Sequence, residues 1–224
     1  MVVIDVLNDA GGRELLLNKY GLRKVPVLAK GDQYAIGQML EPYAKLAGIS
    51  LSSADKLTPQ QVYKKYEMVF AAGQRYVRQF PAERLLERVI PNRERVIRTL
   101  CYHVFRIGES FLETWEGAEY SAKMADGEPP ESMRTGDDIA RYGADVWKRY
   151  EAWWPGVDDK SLSRMLKTYY GDTAAHRVSE RATWHSAQHC RQLMAVLERM
   201  GIQPNGPLSA EDLKGLPLPE RLWE

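Results

Sequence analysis

Cysteine is scarce in this 224-residue chain, which carries only Cys101 and Cys190. Two thiols are too few for a disulfide-stapled scaffold, and no Cys-x-x-Cys pair is present. One-sided charge is also missing: 31 basic residues face 30 acidic ones, a formal net charge of +1. Neither nucleic acid nor an anionic membrane is therefore expected as the main partner. No apolar run approaches the ~18 residues that a membrane span needs. The opening MVVIDVLNDA lacks the basic stretch and long apolar core of a secretory signal. Glycine-rich phosphate loops, nucleophile elbows, internal repeats and low-complexity tracts are absent too. These absences lead to the expectation of a soluble protein in a reducing cytoplasm.

What is present is a sizeable apolar fraction, 44%, with six tryptophans and twelve tyrosines that fall mostly after residue 60. The first fifty residues read differently from the rest. Val2-Val3-Ile4-Asp5-Val6 is a β-branched run, and Arg13 to Tyr20 has helix-forming composition. Lys24 to Leu28 is a second strand candidate, Gly31-Asp32 a turn, Tyr34-Ala35-Ile36 a third strand and Met39 to Ala47 a closing helix. The order β-α-β-β-α marks residues 1–49 as a small α/β segment, and Ser50 to Leu57 as a linker.

Thr58-Pro59-Gln60-Gln61 opens a helix by chemistry: a capping threonine, proline at the first helical position and glutamine three residues after the cap. That helix is expected to run to Phe80, where Pro81 stops it. A second, Asn92 to Trp115, places Ile97, Leu100, Val104, Ile107 and Phe111 at helical spacing. Gly117 to Arg134 reads as a loop, and Thr135 with Asp138 starts a third helix ending at Trp154. The fourth runs from Thr173 to Met200 and is closed by Gly201. Four helices of twenty-odd residues describe a four-helix bundle over residues 57–202. The tail, 203–224, holds four prolines and is expected to lie extended over it.

The four histidines carry the most information. Val178, Ala182, His185, His189, Leu193, Val196 and Met200 follow one another at steps of three or four and form the core-facing seam of the last helix. Two imidazoles thus sit one turn apart on one side, close enough to share a cation at ~2.0–2.1 Å each. His103, beside Leu100 and Ile107 on the second helix, is the natural third ligand. His176 lies outside the seam. The same spacing also fits core histidines hydrogen-bonded to buried neighbours, although neither gains from burial unless something binds it. Cys101 and Cys190 point away from the histidines and read as small buried hydrophobes. Trp184, Trp153 and Trp154 fit either a cavity lining or a core. Arg93, Arg95 and Arg98 fit either an anion site or a solvated face.

With these residues in view, the region from Leu57 to Ile202 resembles the DinB-like family of metal-binding four-helix bundles. The resemblance rests on Arg98-Thr-Leu-Cys-Tyr-His103-Val-Phe-Arg and on Thr183-Trp-His185-Ser-Ala-Gln-His189-Cys-Arg-Gln-Leu193. It implies a nickel, zinc or iron ion on His103, His185 and His189, with positions left for water. The family includes transferases and isomerases that use mycothiol, bacillithiol or glutathione. Residues 1–49 resemble the latter part of a glutaredoxin, a thioredoxin-like fold, through Ile4-Asp-Val6, Tyr20-Gly-Leu-Arg-Lys-Val25-Pro26-Val27 and Ile36-Gly37. The opening strand, the Cys-x-x-Cys turn and the first helix of that fold are missing, so thiol–disulfide exchange is not expected.

The resemblances imply a metal-dependent enzyme that acts on a small molecule together with a low-molecular-weight thiol. A metal-dependent hydrolase and a non-catalytic, stress-linked binding module are the alternatives. An open pocket over the cation favours the enzymes, and a closed coordination sphere favours the module. The missing strand and helix would also leave Val3, Val25 and Val27 at risk of exposure, so docking on the bundle or a homodimer is expected.

Overall fold

A computed structural model describes residues 2–6, 8–22, 25–37, 40–49, 56–89 and 94–223. The protein is mainly helical, with two small antiparallel sheets, and it divides into two units, Met1–Asp55 and Lys56–Glu224.

In the N-terminal unit, Asp9 caps helix α1 (Ala10–Tyr20) by accepting from the Gly12 amide at 3.0 Å. Gly21 closes it at φ 66°, a left-handed conformation that suits a residue without Cβ. Strands β1 (Val27–Lys30) and β2 (Gln33–Ile36) form a hairpin in which Val27 faces Ile36 and Lys30 faces Gln33. Tyr20 braces the turn by donating to the Gly31 carbonyl at 2.7 Å. Helix α2 (Leu40–Ala47) packs on both strands. The Val25–Pro26 peptide is cis.

The strand expected over residues 2–6 does not form. A β-branched run becomes a strand only when a neighbour takes up its backbone hydrogen bonds, and the β1–β2 sheet has two strands only. Val2 and Val3 are instead 86% and 83% exposed. Lys24, part of the second strand candidate, and Met39, the expected start of α2, lie outside the described residues.

In the second unit, α3 (Pro59–Gln79) starts as its capping chemistry demands. The Thr58 hydroxyl accepts from the Gln61 amide while Gln61 Oε1 accepts from the Thr58 N–H at 2.8 Å. A single 3₁₀ turn, Ala82–Arg84, then leads towards α4 (Ile97–Trp115). Asn92, the expected start of that helix, lies outside the described residues, and residues 94–96 are not helical. The reason is a non-local pairing. Val96 is extended and bridges Arg88, while the Ile97 and Arg98 amides donate to Glu87 and Leu85. After the short α5 (Ala122–Ala125), α6 (Gly136–Trp153) begins on a capping box of Thr135 with Asp138. Strands β3 (Met165–Leu166) and β4 (Thr173–Ala174) pair just before α7 (Ala175–Arg199), which therefore starts two residues later than Thr173.

Helices α3 and α4 each pack against both α6 and α7. Between them lies an aromatic core of Tyr66, Phe70, Phe105, Phe111 and Tyr150, none more than 1% exposed. Gly108 makes the closest approach possible, since a Cβ there would sit 2.6 Å from the Phe70 ring. The tail is strapped down rather than loose. Gln79 Nε2 donates to the Gln203 carbonyl, Arg75 to Asn205 and Gly206, and Arg191 to Pro219. Leu208, Leu213 and Leu216 join the core, and a short helix α8 (Ala210–Leu213) interrupts the extended path.

Candidate metal centre

The seam of α7 carries His185 and His189 one turn apart, and α4 lies alongside with His103 facing them. One ligand atom from each lies within 4.8 Å of the others. The ring centroids are 4.8 Å apart for His185–His189 and His103–His189, and 5.4 Å for His103–His185. Tetrahedral coordination at ~2.0–2.1 Å requires nitrogens roughly 3.3 Å apart, so modest side-chain rotation would bring the three onto one ion. The three residues singled out in the sequence are therefore brought together, close enough to hold a metal ion.

His103 and His189 are 2% and 5% exposed, and His185 is partly buried. Two of the ring nitrogens, His185 Nδ1 and His189 Nε2, are sealed from solvent and have no hydrogen-bond partner among the described residues. Buried polar atoms are nearly always paired, so each such nitrogen calls for a ligand. This pattern separates the two readings that spacing alone left open. Core histidines with both nitrogens paired would leave no such atoms, and His185 Nδ1 and His189 Nε2 are two of them.

The tautomer of His189 follows from its neighbours. Gln192 Nε2 donates to the Leu222 carbonyl at 2.9 Å, a partner that can only accept. Its Oε1 is therefore turned to the imidazole and accepts from His189 Nδ1 at 2.7 Å. With the proton on Nδ1, Nε2 presents its lone pair to the site. Gln188 reinforces the arrangement by donating to the same Leu222 carbonyl at 2.8 Å. Burial drives the His185 pKa well below the usual imidazole value, helped by the charges of Arg181 and Arg95. Burial likewise lowers His189 to about 4, with Arg95 contributing and the Gln192 hydrogen bond opposing. Both rings are neutral near pH 7, the form a metal needs.

A pocket of about 400 Å³ opens beside His103. Its walls include His103, Arg95, Thr99, Glu94, Asp126 and Glu128. Thr99 fixes one wall by donating to Glu128 at 2.7 Å. Of the arginines grouped in the sequence, Arg95 lines the pocket, Arg98 donates to the Pro129 carbonyl, and Arg93 lies outside the described residues.

The remaining candidates are structural. Cys101 and Cys190 are fully buried, and desolvation pushes both thiols up, Cys190 to about 12. His176 Nε2 bonds to the Leu57 carbonyl at 3.1 Å, away from the site. Trp153 and Trp154 belong to an aromatic cluster with Phe111, Trp115 and Tyr63. Trp184 packs beside the His185 ring at 5.6 Å. Sequence reasoning missed Gln192 and the Leu222 carbonyl. The three-residue step from His189 to Gln192 was a signal that could have been read, whereas the tail contact was not.

No protein-family model, curated protein or solved structure matches the chain. What defines the molecule is its own geometry: a mainly helical protein with a three-histidine group able to hold a metal ion.

Proposed function

We propose that the chain is a divalent-metal protein of the DinB-like type, a four-helix bundle whose His103, His185 and His189 hold nickel, zinc or iron. We further propose that it is an enzyme acting on a small molecule together with a low-molecular-weight thiol. The observation that carries the metal reading is the pair of sealed, unpartnered ring nitrogens beside a third imidazole. When bound, the ion supplies Lewis acidity, polarising a carbonyl and lowering the pKa of a thiol that reaches it.

The chain's own residues support the rest of the reading. The pocket is of the size small-molecule sites have, and His103 is among the residues that line it. Arg95 and Arg181 bring positive charge near the imidazoles, which favours an anionic thiolate over a neutral thiol there. The protein's own thiols lie in the core with their pKa values raised, so a reacting thiol arrives from outside. Glu94, Asp126 and Glu128 line the pocket and give it an acidic rim. That acidic rim also favours the hydrolase as the second reading.

Metal analysis of protein purified without chelating resin tests the first step. The His185→Ala/His189→Ala double variant should lose nearly all bound metal, together with the thermal stabilisation that metal gives the wild type. Unchanged metal content would end the metal reading. Conjugation of mycothiol, bacillithiol or glutathione to small electrophiles then tests the thiol step. Ester or amide hydrolysis without thiol dependence would select the hydrolase.

A further inference from the structure

Arg181 stands one turn before His185 on α7, so the two side chains leave the helix on the same side. Its surroundings are unusual for a cation. No carboxylate lies within ion-pairing distance of it among the described residues. Its guanidinium lies over two aromatic rings instead, 5.9 Å from the Tyr120 centroid and 5.6 Å from that of Tyr170. Nη1 donates a long 3.4 Å hydrogen bond to the Tyr120 hydroxyl. Nε is sealed from solvent with no hydrogen-bond partner among the described residues, and so is the Tyr170 hydroxyl.

A brace held by cation–π contacts alone would not look like this. Such contacts return only part of what it costs to take a charge out of water, and sealed donors without partners add to that cost. The unmet groups also have a definite shape. With Nη1 turned to Tyr120, Nε and Nη2 form the other edge of the guanidinium, where two N–H groups run parallel. Two parallel N–H groups match the two oxygens of a carboxylate.

We propose that Arg181, with Tyr170 and Tyr120, forms a carboxylate-binding subsite next to the three-histidine group. A ligand that lays a carboxylate on the Nε–Nη2 edge extends towards His185, one helical turn away. The small molecule expected at the metal centre is thus one that carries a carboxylate a few bonds from the group that reacts. The identity of that reacting group rests on the proposed function; the anion subsite does not.

Succinate serves as the probe, with inorganic phosphate as a second arm, on the full chain before and after removal of metal by EDTA. In the metal-free wild type, the ¹⁵N and ¹H signals of Arg181 Nε–H should move saturably with succinate. By calorimetry, Arg181→Gln should weaken succinate binding about tenfold or more, the loss expected for a charged hydrogen-bonded pair. Tyr170→Phe, which keeps the ring and removes the hydroxyl, should weaken it less. His185→Ala should lose metal yet retain succinate binding to the metal-free protein, so failure of the metal reading leaves this result readable. An Nε–H signal that succinate does not move overturns the subsite without recourse to any variant. Equal succinate affinity in wild type and Arg181→Gln overturns it as well. Tighter binding of phosphate than of succinate overturns the carboxylate class.

Discussion

The two units of this chain solve the problem of apolar surface in opposite ways. The unit Lys56–Glu224 hides its large side chains completely: Tyr66, Phe70, Phe105, Phe111 and Tyr150 interlock between four long helices. Among the described residues of the unit Met1–Asp55, the buried hydrophobic side chains are the small Ala35 and Ala44, while Val2, Val3, Val25 and Ile49 stay exposed. A two-stranded sheet with short helices has too few layers to enclose a core. The difference bears on function, because a ligand set must be held to within fractions of an ångström. All four histidines, including the three of the candidate centre, belong to the unit with the packed core.

The comparison is sharpened most by paired core and surface substitutions. Phe105 is fully buried, with the Phe70 ring centred 5.3 Å away and Gly73 and Gly143 against its ring. Phe105→Ala should destabilise the protein by about 3–5 kcal/mol in urea or thermal unfolding. Val2→Ser/Val3→Ser should change stability by less than ~0.5 kcal/mol. A large loss in the valine variant would instead mean that those side chains are covered in solution, for example by a second copy of the chain. Light scattering on wild type and variant then separates the cases, with dissociation in the variant supporting the dimer and a monomeric wild type ruling it out.

Acid should affect the two units unequally, because the N-terminal one contains no histidine. His189 has a folded pKa of about 4 against 6.5 for an unperturbed imidazole. Its depressed value means that the unfolded chain binds the proton first. Stability of the metal-free protein is therefore full above about pH 6.5 and falls as pH drops towards 4, by an amount on the order of 3 kcal/mol for this group alone. Below pH 4 both states carry the proton and this contribution stops changing. The His185 shift adds in the same direction. Denaturant unfolding followed at tryptophans, all of which lie after residue 60, reads the helical unit selectively. A midpoint that is flat from pH 7 to 4 would contradict the burial of these rings in the metal-free state.

How much could be read in advance depended on how local each determinant is. Thr58 and Thr135 bond to residues three positions away, so the starts of α3 and α6 are written in short stretches of chain. The seam holding His185 and His189 is likewise a matter of helical periodicity. Val96 depends on Arg88, and residues 2–6 depend on a neighbouring strand that the described residues do not supply; neither condition shows in the local pattern. The charge environment of the site was hidden for the same reason. Arg181 meets Tyr120, which is distant in sequence from it, and Tyr170, which lies outside its helix.

The smallest expected effect lies with Gln192, and it concerns what the packed unit does for a side chain that touches no ligand. Gln192 bonds to His189 Nδ1 on one side and to the tail carbonyl of Leu222 on the other. A leucine in its place keeps the bulk but leaves Nδ1 without an acceptor, so the ring is free to move its proton to Nε2 or to rotate. Hydrogen-bond partners of metal-ligating histidines typically contribute 10–100-fold to affinity. Gln192→Leu should accordingly weaken zinc binding by about that factor while the fold persists. Gln192→Glu should restore the affinity, since a carboxylate also accepts from Nδ1. Removing residues 221–224 takes away the carbonyl that orients the amide and should weaken binding by less, because Oε1 can still turn to the imidazole. A chain beginning at Lys56 should bind zinc as the full protein does. Competition against a chromophoric chelator measures all four. Equal zinc affinity in wild type and Gln192→Leu would show that core packing alone orients His189. Weakened binding in the chain that begins at Lys56 would instead bring the N-terminal unit into the work of the metal centre.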